Sequence, residues 1–199
     1  MKTKKLRDKK PARGLFRHTS FQDTITGGAG EQSVVPTVAI SRIKEEDFYP
    51  YFRDWLQNDI QEVTKAITLG GSKFQAKWAT PDVIGIYATK LTDIIEHEPT
   101  IVSAEIKLGT SGTELITAFG QACAYKIFSH KVYLVIPNSA IKEDIDRIES
   151  LCLILGVGLV LFNNTNVKTK WEIKCRPLKH EPDIWYVNDT MRNVPQLFE

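Results

Sequence analysis

The sequence predicts an α/β domain in which a central mixed β-sheet is flanked by helices. Stretches whose apolar residues recur every three or four positions, as in amphipathic helices, alternate with short apolar runs typical of buried strands. Of the 199 residues, 42% are hydrophobic and 25% are charged. These values are ordinary for one folded domain, and they exclude a collagen-like repeat, a disulfide-rich miniprotein and wholesale disorder.

Three helices and five strands are predicted from these patterns. The helices cover residues 45–67, 112–129 and 143–155, and the first is open to a change into a strand after Val63. The strands cover residues 82–88, 100–108, 131–136, 158–162 and 170–175. The first two strands are predicted to pair as an antiparallel hairpin. The second of them, the helix 112–129 and the strand 131–136 predict a βαβ-like unit.

The chain divides into a basic segment, a folded body and a tail. Residues 1–33 are predicted to form a flexible arm and linker, residues 34–176 the domain, and residues 177–199 a tail packed on it. The tail is expected to be irregular and held by its aromatic residues Trp185, Tyr186 and Phe198. The arm carries eight Lys or Arg residues and one acid among its first 17 positions, whereas the rest of the chain is net acidic. Such an arm is typical of a DNA-backbone contact and equally of a solubilising tail.

Several function classes lack support in the sequence. No apolar run approaches the roughly 20 residues that cross a bilayer, and no secretory signal is present, so we expect a cytoplasmic protein with no membrane partner. Cys123, Cys152 and Cys175 are widely spaced, and no histidine lies at metal-ligand spacing, which argues against disulfides and zinc. No G-x-S-x-G motif of a serine hydrolase occurs, and the Gly70–Lys73 segment lacks the phosphate-loop frame.

Charged residues concentrate on the predicted hairpin. Asp82, preceded by a proline, opens its first strand, and Glu105 and Lys107 lie in its second. Side chains alternate along a strand, so Glu105 and Lys107 share a face, and Asp82 joins them if the register places it opposite either one. Two neighbouring carboxylates are unfavourable without a cation, and Mg²⁺ prefers oxygen ligands. This pattern predicts a magnesium site.

A second Glu-x-Lys sequence occurs at Glu172–Lys174, also in a predicted strand. Its nearest Pro-Asp pair, Pro182–Asp183, follows the strand instead of preceding it, and no helix is predicted directly after that strand. We therefore interpret this copy as unrelated to the site. The order of an acid-bearing helix, a Pro-Asp strand, a Glu-x-Lys strand, a helix and a buried strand is the discriminating information.

With this order and these motifs, residues 45–163 resemble the PD-(D/E)XK nuclease superfamily, which has the restriction-endonuclease-like fold. The resemblance implies that Asp82 and Glu105 hold a catalytic Mg²⁺, for which Mn²⁺ can substitute. It also implies that the backbone carbonyl of Ile106 completes the metal site. Lys107 would orient the attacking water and balance developing negative charge. The implied activity is that of a metal-dependent deoxyribonuclease, in restriction or in repair, and many members act as homodimers.

Two further elements of the resemblance involve helices. Many members add a glutamate from the first helix, for which Glu62 is the best match and Asp59, one turn earlier, the reserve. Gln121 and Tyr125 match the Q-x-x-x-Y element of the exonuclease- and helicase-associated branch, and residues four apart share a helix face. The resemblance therefore implies that Glu62 and Gln121 assist catalysis.

Structural interpretations of the same residues stay open at the level of sequence. Asp82 could start a strand, and Glu105 and Lys107 could form an ordinary cross-strand ion pair. Glu62 could be a solvated helix residue, and Gln121 could be a surface contact. The corresponding alternative for the whole chain is a non-catalytic module that binds nucleic acid or protein and retains the nuclease fold.

Overall fold

The computed structural model describes residues 43–70 and 80–198, and a mixed β-sheet forms their centre. The predicted arm and linker, residues 1–33, lies outside the described residues. No helix within the described ranges is long and apolar enough to cross a membrane. The described residues form a central sheet and the helical layers that cover its two faces.

The six strands of this sheet are adjacent in space in the same order as along the chain. They are β1 Lys65–Thr68, β2 Val83–Tyr87, β3 Thr100–Ile106, β4 Lys131–Pro137, β5 Gly158–Phe162 and β6 Glu172–Cys175. β1, β2 and β3 pair antiparallel, β3, β4 and β5 pair parallel, and β6 is antiparallel to β5. The mixed sheet with flanking helices is confirmed, including the antiparallel hairpin and the βαβ unit.

Four α-helices accompany the sheet within the described residues. They are α1 Tyr49–Asp54, α2 Gly112–Tyr125, α3 Lys142–Leu155 and α4 Ile184–Arg192. α1 is extended by a 3₁₀ turn, Glu45–Phe48, and by a π turn, Trp55–Asp59, so that residues 45–59 form one helical segment. α2 begins at a capping box in which the Ser111 hydroxyl accepts from the Glu114 amide.

The predicted first helix, 45–67, is wrong beyond Asp59, whereas the change into a strand that the sequence leaves open after Val63 is confirmed by β1. Gln61 adopts a φ of 49°, in the left-handed region, and this conformation prevents the helix from continuing. The chain then enters β1, which pairs with β2. The apolar spacing of Ile60, Val63 and Ile67 matched a helix although the last of them lies in a strand.

The two faces of the sheet bury separate apolar clusters. α2, α3 and the C-terminal segment cover one face, where Leu115, Leu134 and Cys152 are fully buried. The helical segment 45–59 covers the other face together with Trp171, whose ring centroid lies 5.1 Å from that of Phe52. Both faces of the central strands are therefore covered, which explains their continuous apolar runs.

The tail is attached differently from the prediction. Trp185, Tyr186 and Phe198 are exposed, so the prediction that they hold the tail is wrong. The tail instead forms α4 and a 3₁₀ turn, and Met191, Val194 and Leu197 are buried. Met191 lies in α4, Val194 lies between this helix and the 3₁₀ turn, and Leu197 lies in that turn.

We expect Leu197→Ala to lower the free energy of unfolding by about 2 kcal/mol, since it removes a buried side chain and leaves a cavity. Trp185→Ala is the matched control, because an exposed side chain contributes within about 0.5 kcal/mol. Urea denaturation measures both. A larger loss for Trp185→Ala than for Leu197→Ala would contradict the packing described for the tail.

Candidate functional site

Asp82 and Glu105 lie next to each other at the end of the β2–β3 hairpin. Val83 is opposite Ala104, so Asp82, which precedes β2, comes beside Glu105. The Asp82 amide donates to the Ala104 carbonyl at 3.0 Å, and the Ile106 amide donates to Asp82 Oδ2 at 2.7 Å. Only 6% of Asp82 and 5% of Glu105 is exposed. The structure therefore brings together the two acids that the motif singles out, in a buried position.

The backbone of Ile106 faces Asp82. In an antiparallel pair, the N–H and C=O groups of one strand residue point toward the same neighbouring strand. Because the Ile106 amide reaches Asp82, the Ile106 carbonyl is directed to that side as well. A backbone oxygen is thus available beside the two carboxylates, in the position where a third oxygen ligand was expected.

Tyr125, at the end of α2, holds Glu105. Its hydroxyl donates to Glu105 Oε2 and also lies 3.2 Å from the Thr80 carbonyl. No donor among the described residues is bonded to the second oxygen, Glu105 Oε1. Gln121 is half-buried one turn earlier on α2, and its side chain makes no hydrogen bond to another described residue. Of the Q-x-x-x-Y pair, only the tyrosine contacts the carboxylates.

Lys107 is held by an acid that the sequence analysis missed. Glu45 Oε2 lies 3.4 Å from Lys107 Nζ and accepts from the Leu108 amide at 3.0 Å. The Tyr49 hydroxyl lies 3.4 Å from Glu45 Oε1. The available signal was an acid in the first helical turn with a tyrosine four residues later, which share a helix face.

Glu62 and Asp59 do not join the carboxylate pair. Glu62 follows the helical segment, and its carboxylate binds Lys131 Nζ at 2.6 Å and the Arg176 guanidinium at 3.3 Å. Lys131 pairs with Val102, three residues before Glu105, which corresponds to roughly 10 Å along the strand. Asp59 is exposed in the π turn. The acid that the first helical segment brings to the site is Glu45, because the helix ends before Glu62.

Burial dominates the electrostatics of the pair. It raises the pKa of Asp82, while hydrogen bonds from the Tyr49 hydroxyl and the Ile106 amide act in the opposite direction. Burial also raises the pKa of Glu105, the charge of Asp82 raises it further, and the Tyr125 hydrogen bond lowers it. Both carboxyl groups therefore favour taking up a proton or lying beside a cation.

This donor set consists of oxygen atoms, which hard divalent cations prefer. Within the described ranges, no group of three or more His, Cys, Asp or Glu side chains is placed to hold a metal ion. Mg²⁺ is commonly bound by one or two carboxylates, with water and substrate phosphates supplying the remaining oxygens. Asp82, Glu105 and the Ile106 carbonyl supply oxygen ligands alone, which suits Mg²⁺ or Mn²⁺.

No protein-family model, curated protein or solved structure matches this chain. What the site can do is therefore argued from its own geometry.

The raised pKa values of the pair lead to a pH dependence of stability. The folded protein retains protons that the unfolded chain releases, so stability present below the ordinary pKa values of 3.8 and 4.5 is lost as pH rises through the raised values. In EDTA, we expect the free energy of unfolding of the wild type to fall by more than about 1 kcal/mol between about pH 5 and about pH 8, relative to that of the Asp82→Asn/Glu105→Gln variant.

Urea denaturation at both pH values measures this difference, because the two amides of the variant do not titrate. Parallel pH profiles for the wild type and the double variant would show that the pair ionises without cost in the folded protein.

Proposed function

We propose that the protein is a Mg²⁺-dependent nuclease that hydrolyses DNA phosphodiester bonds, in restriction or in repair, and that its sheet is of the restriction-endonuclease-like type. The observation that carries this proposal is the placement of Asp82 beside Glu105, both buried, at the end of the hairpin that also bears Lys107. Two oxygen-donor side chains, a neighbouring backbone carbonyl and a lysine can together support metal-dependent phosphodiester hydrolysis.

In this proposal, the two carboxylates and a backbone carbonyl bind the cation, and neighbouring donors orient the carboxylates. Asp82, Glu105 and the Ile106 carbonyl would hold the cation, and Mn²⁺ would substitute for Mg²⁺. When bound, the cation supplies Lewis acidity toward the scissile phosphate. The Tyr125 hydroxyl fixes Glu105 through one oxygen and leaves Oε1 for a ligand. The Ile106 amide fixes Asp82 in the same way, so the two carboxylates are oriented before any ligand binds.

Lys107 supplies the positive charge of the site. Its side chain is 30% exposed, and its Nζ lies 3.4 Å from Glu45 Oε2. This ion pair holds Lys107 at the edge of the buried carboxylate pair. The charge of Lys107 acts on both Asp82 and Glu105, lowering the pKa of each. A fixed cation in this place orients the attacking water and stabilises the negative charge that grows on the phosphate in the transition state.

The proposal also includes DNA as the substrate, the cytoplasm as the location and a homodimer as the assembly. DNA is a polyanion, and the basic residues near the N-terminus would attract it from solution while the acids of the body serve the cation. The three cysteines are unpaired, as expected in a reducing cytoplasm. A homodimer would place two such sites on opposite strands of a duplex.

We expect Lys107→Ala to lower the rate of DNA cleavage in Mg²⁺ by roughly 100-fold or more, since it removes the charge that stabilises the transition state. Lys174→Ala is the matched control, because Lys174 belongs to the second Glu-x-Lys sequence on β6, where it lies 3.9 Å from Glu172. Gel assays on supercoiled, linear and single-stranded DNA measure both variants. Equal cleavage by Lys107→Ala and the wild type would remove Lys107 from the mechanism.

We also expect Asp82→Asn to abolish binding of Mn²⁺ in calorimetric titrations without DNA, because one of two charged ligands is lost. Glu172→Gln, in the other Glu-x-Lys sequence, should bind the ion as the wild type does. A wild type that binds DNA but neither binds a divalent ion nor cleaves DNA would instead be the non-catalytic nucleic-acid module.

A further inference from the structure

A groove of about 590 Å³ lies between the helical segment 45–59 and the connection from β5 to β6. Trp55 and Asp59 line it on the helical side, and Lys168, Lys170 and Trp171 line it on the other. It lies on the sheet face opposite α2, and neither carboxylate of the candidate site contributes to it. The groove is therefore a separate feature of the molecule.

Two indole rings form the apolar part of the groove. The ring centroids of Trp55 and Trp171 are 6.2 Å apart, and both residues are half-buried. Each ring also packs against the buried ring of Phe52, at 5.4 Å and 5.1 Å, which limits its motion. Indole surface held in this way stacks with flat aromatic ligands, and nucleobases are the flat rings that proteins hold by such stacking.

The charged side chains of the groove differ in sign between its two walls. Asp59 belongs to the helical wall, whereas Lys168 and Lys170 belong to the opposite wall. None of these three side chains forms an ion pair or a side-chain hydrogen bond with another residue in the described part of the chain. Asp54, also in the groove, differs because it binds Arg53 at 2.7 Å. A fitting ligand therefore carries hydrogen-bond donors on one side and negative charge on the other.

We propose that this groove binds a nucleotide of single-stranded DNA whose base carries an exocyclic amino group. The base stacks on Trp55 and Trp171, its amino group donates to Asp59, and the flanking phosphates contact Lys168 and Lys170. A carboxylate accepts from an exocyclic amino group such as cytosine N4, whereas the same ring position of thymine carries an oxygen acceptor, which a carboxylate repels. This inference rests on the proposed function in one respect, the choice of DNA as the polyanion.

The position of the groove suits a strand that also reaches the candidate site. Glu45, which contacts Lys107, and Trp55, in the groove, belong to one helical segment and are ten residues apart. At a helical rise of 1.5 Å for each residue, this separation is roughly 15 Å. A single strand a few nucleotides long spans such a distance, so an oligonucleotide in the groove extends toward the end of the segment where Glu45 contacts Lys107.

The test is a titration of the wild-type protein with five-residue deoxycytidine and deoxythymidine oligonucleotides, in EDTA so that no cleavage occurs. Tryptophan fluorescence reports stacking, and we expect the deoxycytidine oligonucleotide to bind roughly tenfold more tightly. Asp59→Asn should abolish this preference. Lys168→Glu/Lys170→Glu should weaken binding of both oligonucleotides by roughly tenfold or more. The matched control, Lys142→Glu/Arg147→Glu on α3, changes the charge equally on exposed residues of the other layer.

Unchanged binding by the Lys168→Glu/Lys170→Glu variant, or equal affinity of the wild type for the two oligonucleotides, would overturn the groove assignment. Because the titration contains no divalent ion, its outcome is independent of cleavage. Groove-dependent binding without cleavage in Mg²⁺ would refute the nuclease and keep the groove. Cleavage in Mg²⁺ by a protein whose groove variants bind like the wild type would refute the groove and keep the nuclease.

Discussion

Two carboxylates share one buried position in this fold, and the surrounding structure is arranged around that unfavourable proximity. Asp82 and Glu105 are both almost entirely removed from water, and burial is the largest influence on the pKa of each. Removing like charges from solvent side by side opposes folding unless protons or a cation neutralise them. A protein that only needed a stable hairpin end would gain by placing apolar or solvated residues here, so stability alone does not account for the pair.

Hydrogen bonds hold the pair in one orientation without neutralising it. Tyr125 donates to Glu105, and the amide of Ile106 donates to Asp82, so each acid has one oxygen fixed by an uncharged donor. The raised pKa of Tyr125, caused first by burial, keeps this phenol protonated and therefore a donor. Lys107 places a positive charge near the pair, and this lysine also forms an ion pair with Glu45. The site thus retains capacity for a further cation.

The sequence predicted the parts of this arrangement that depend on local pattern. Alternation along β3 and the Pro-Asp start of β2 brought Asp82 and Glu105 within reach of each other, provided that the register was right. The register itself was not predictable, because it is set by pairing across the hairpin, and the sequence left two choices for the partner of Asp82. The restriction-endonuclease-like type of the sheet and the role of each residue stay predictions.

The errors arose where backbone conformation overrode periodicity. Apolar spacing extended the first helix to residue 67, which made Glu62 its most plausible acid, but the left-handed conformation of Gln61 ends that pattern. Glu62 then turns to Lys131 and Arg176. Side-chain size misled in the tail as well, since large aromatic residues there are exposed and Met191 is buried. Neither a single positive φ nor a choice among apolar side chains has a clear signature in one sequence.

The helical segment 45–59 contributes to both polar features of the molecule through its two ends. Its first turn supplies Glu45, which positions Lys107, and its last turn supplies Trp55 and Asp59, which line the groove. Between them, Phe48 and Phe52 are fully buried and fasten the segment to the sheet. Because the segment is anchored at its centre, the distance between its two functional ends is fixed by the fold. If the groove holds a strand as proposed, that strand starts at a fixed distance from Glu45 and Lys107, and this distance would limit where a bound polymer is cut.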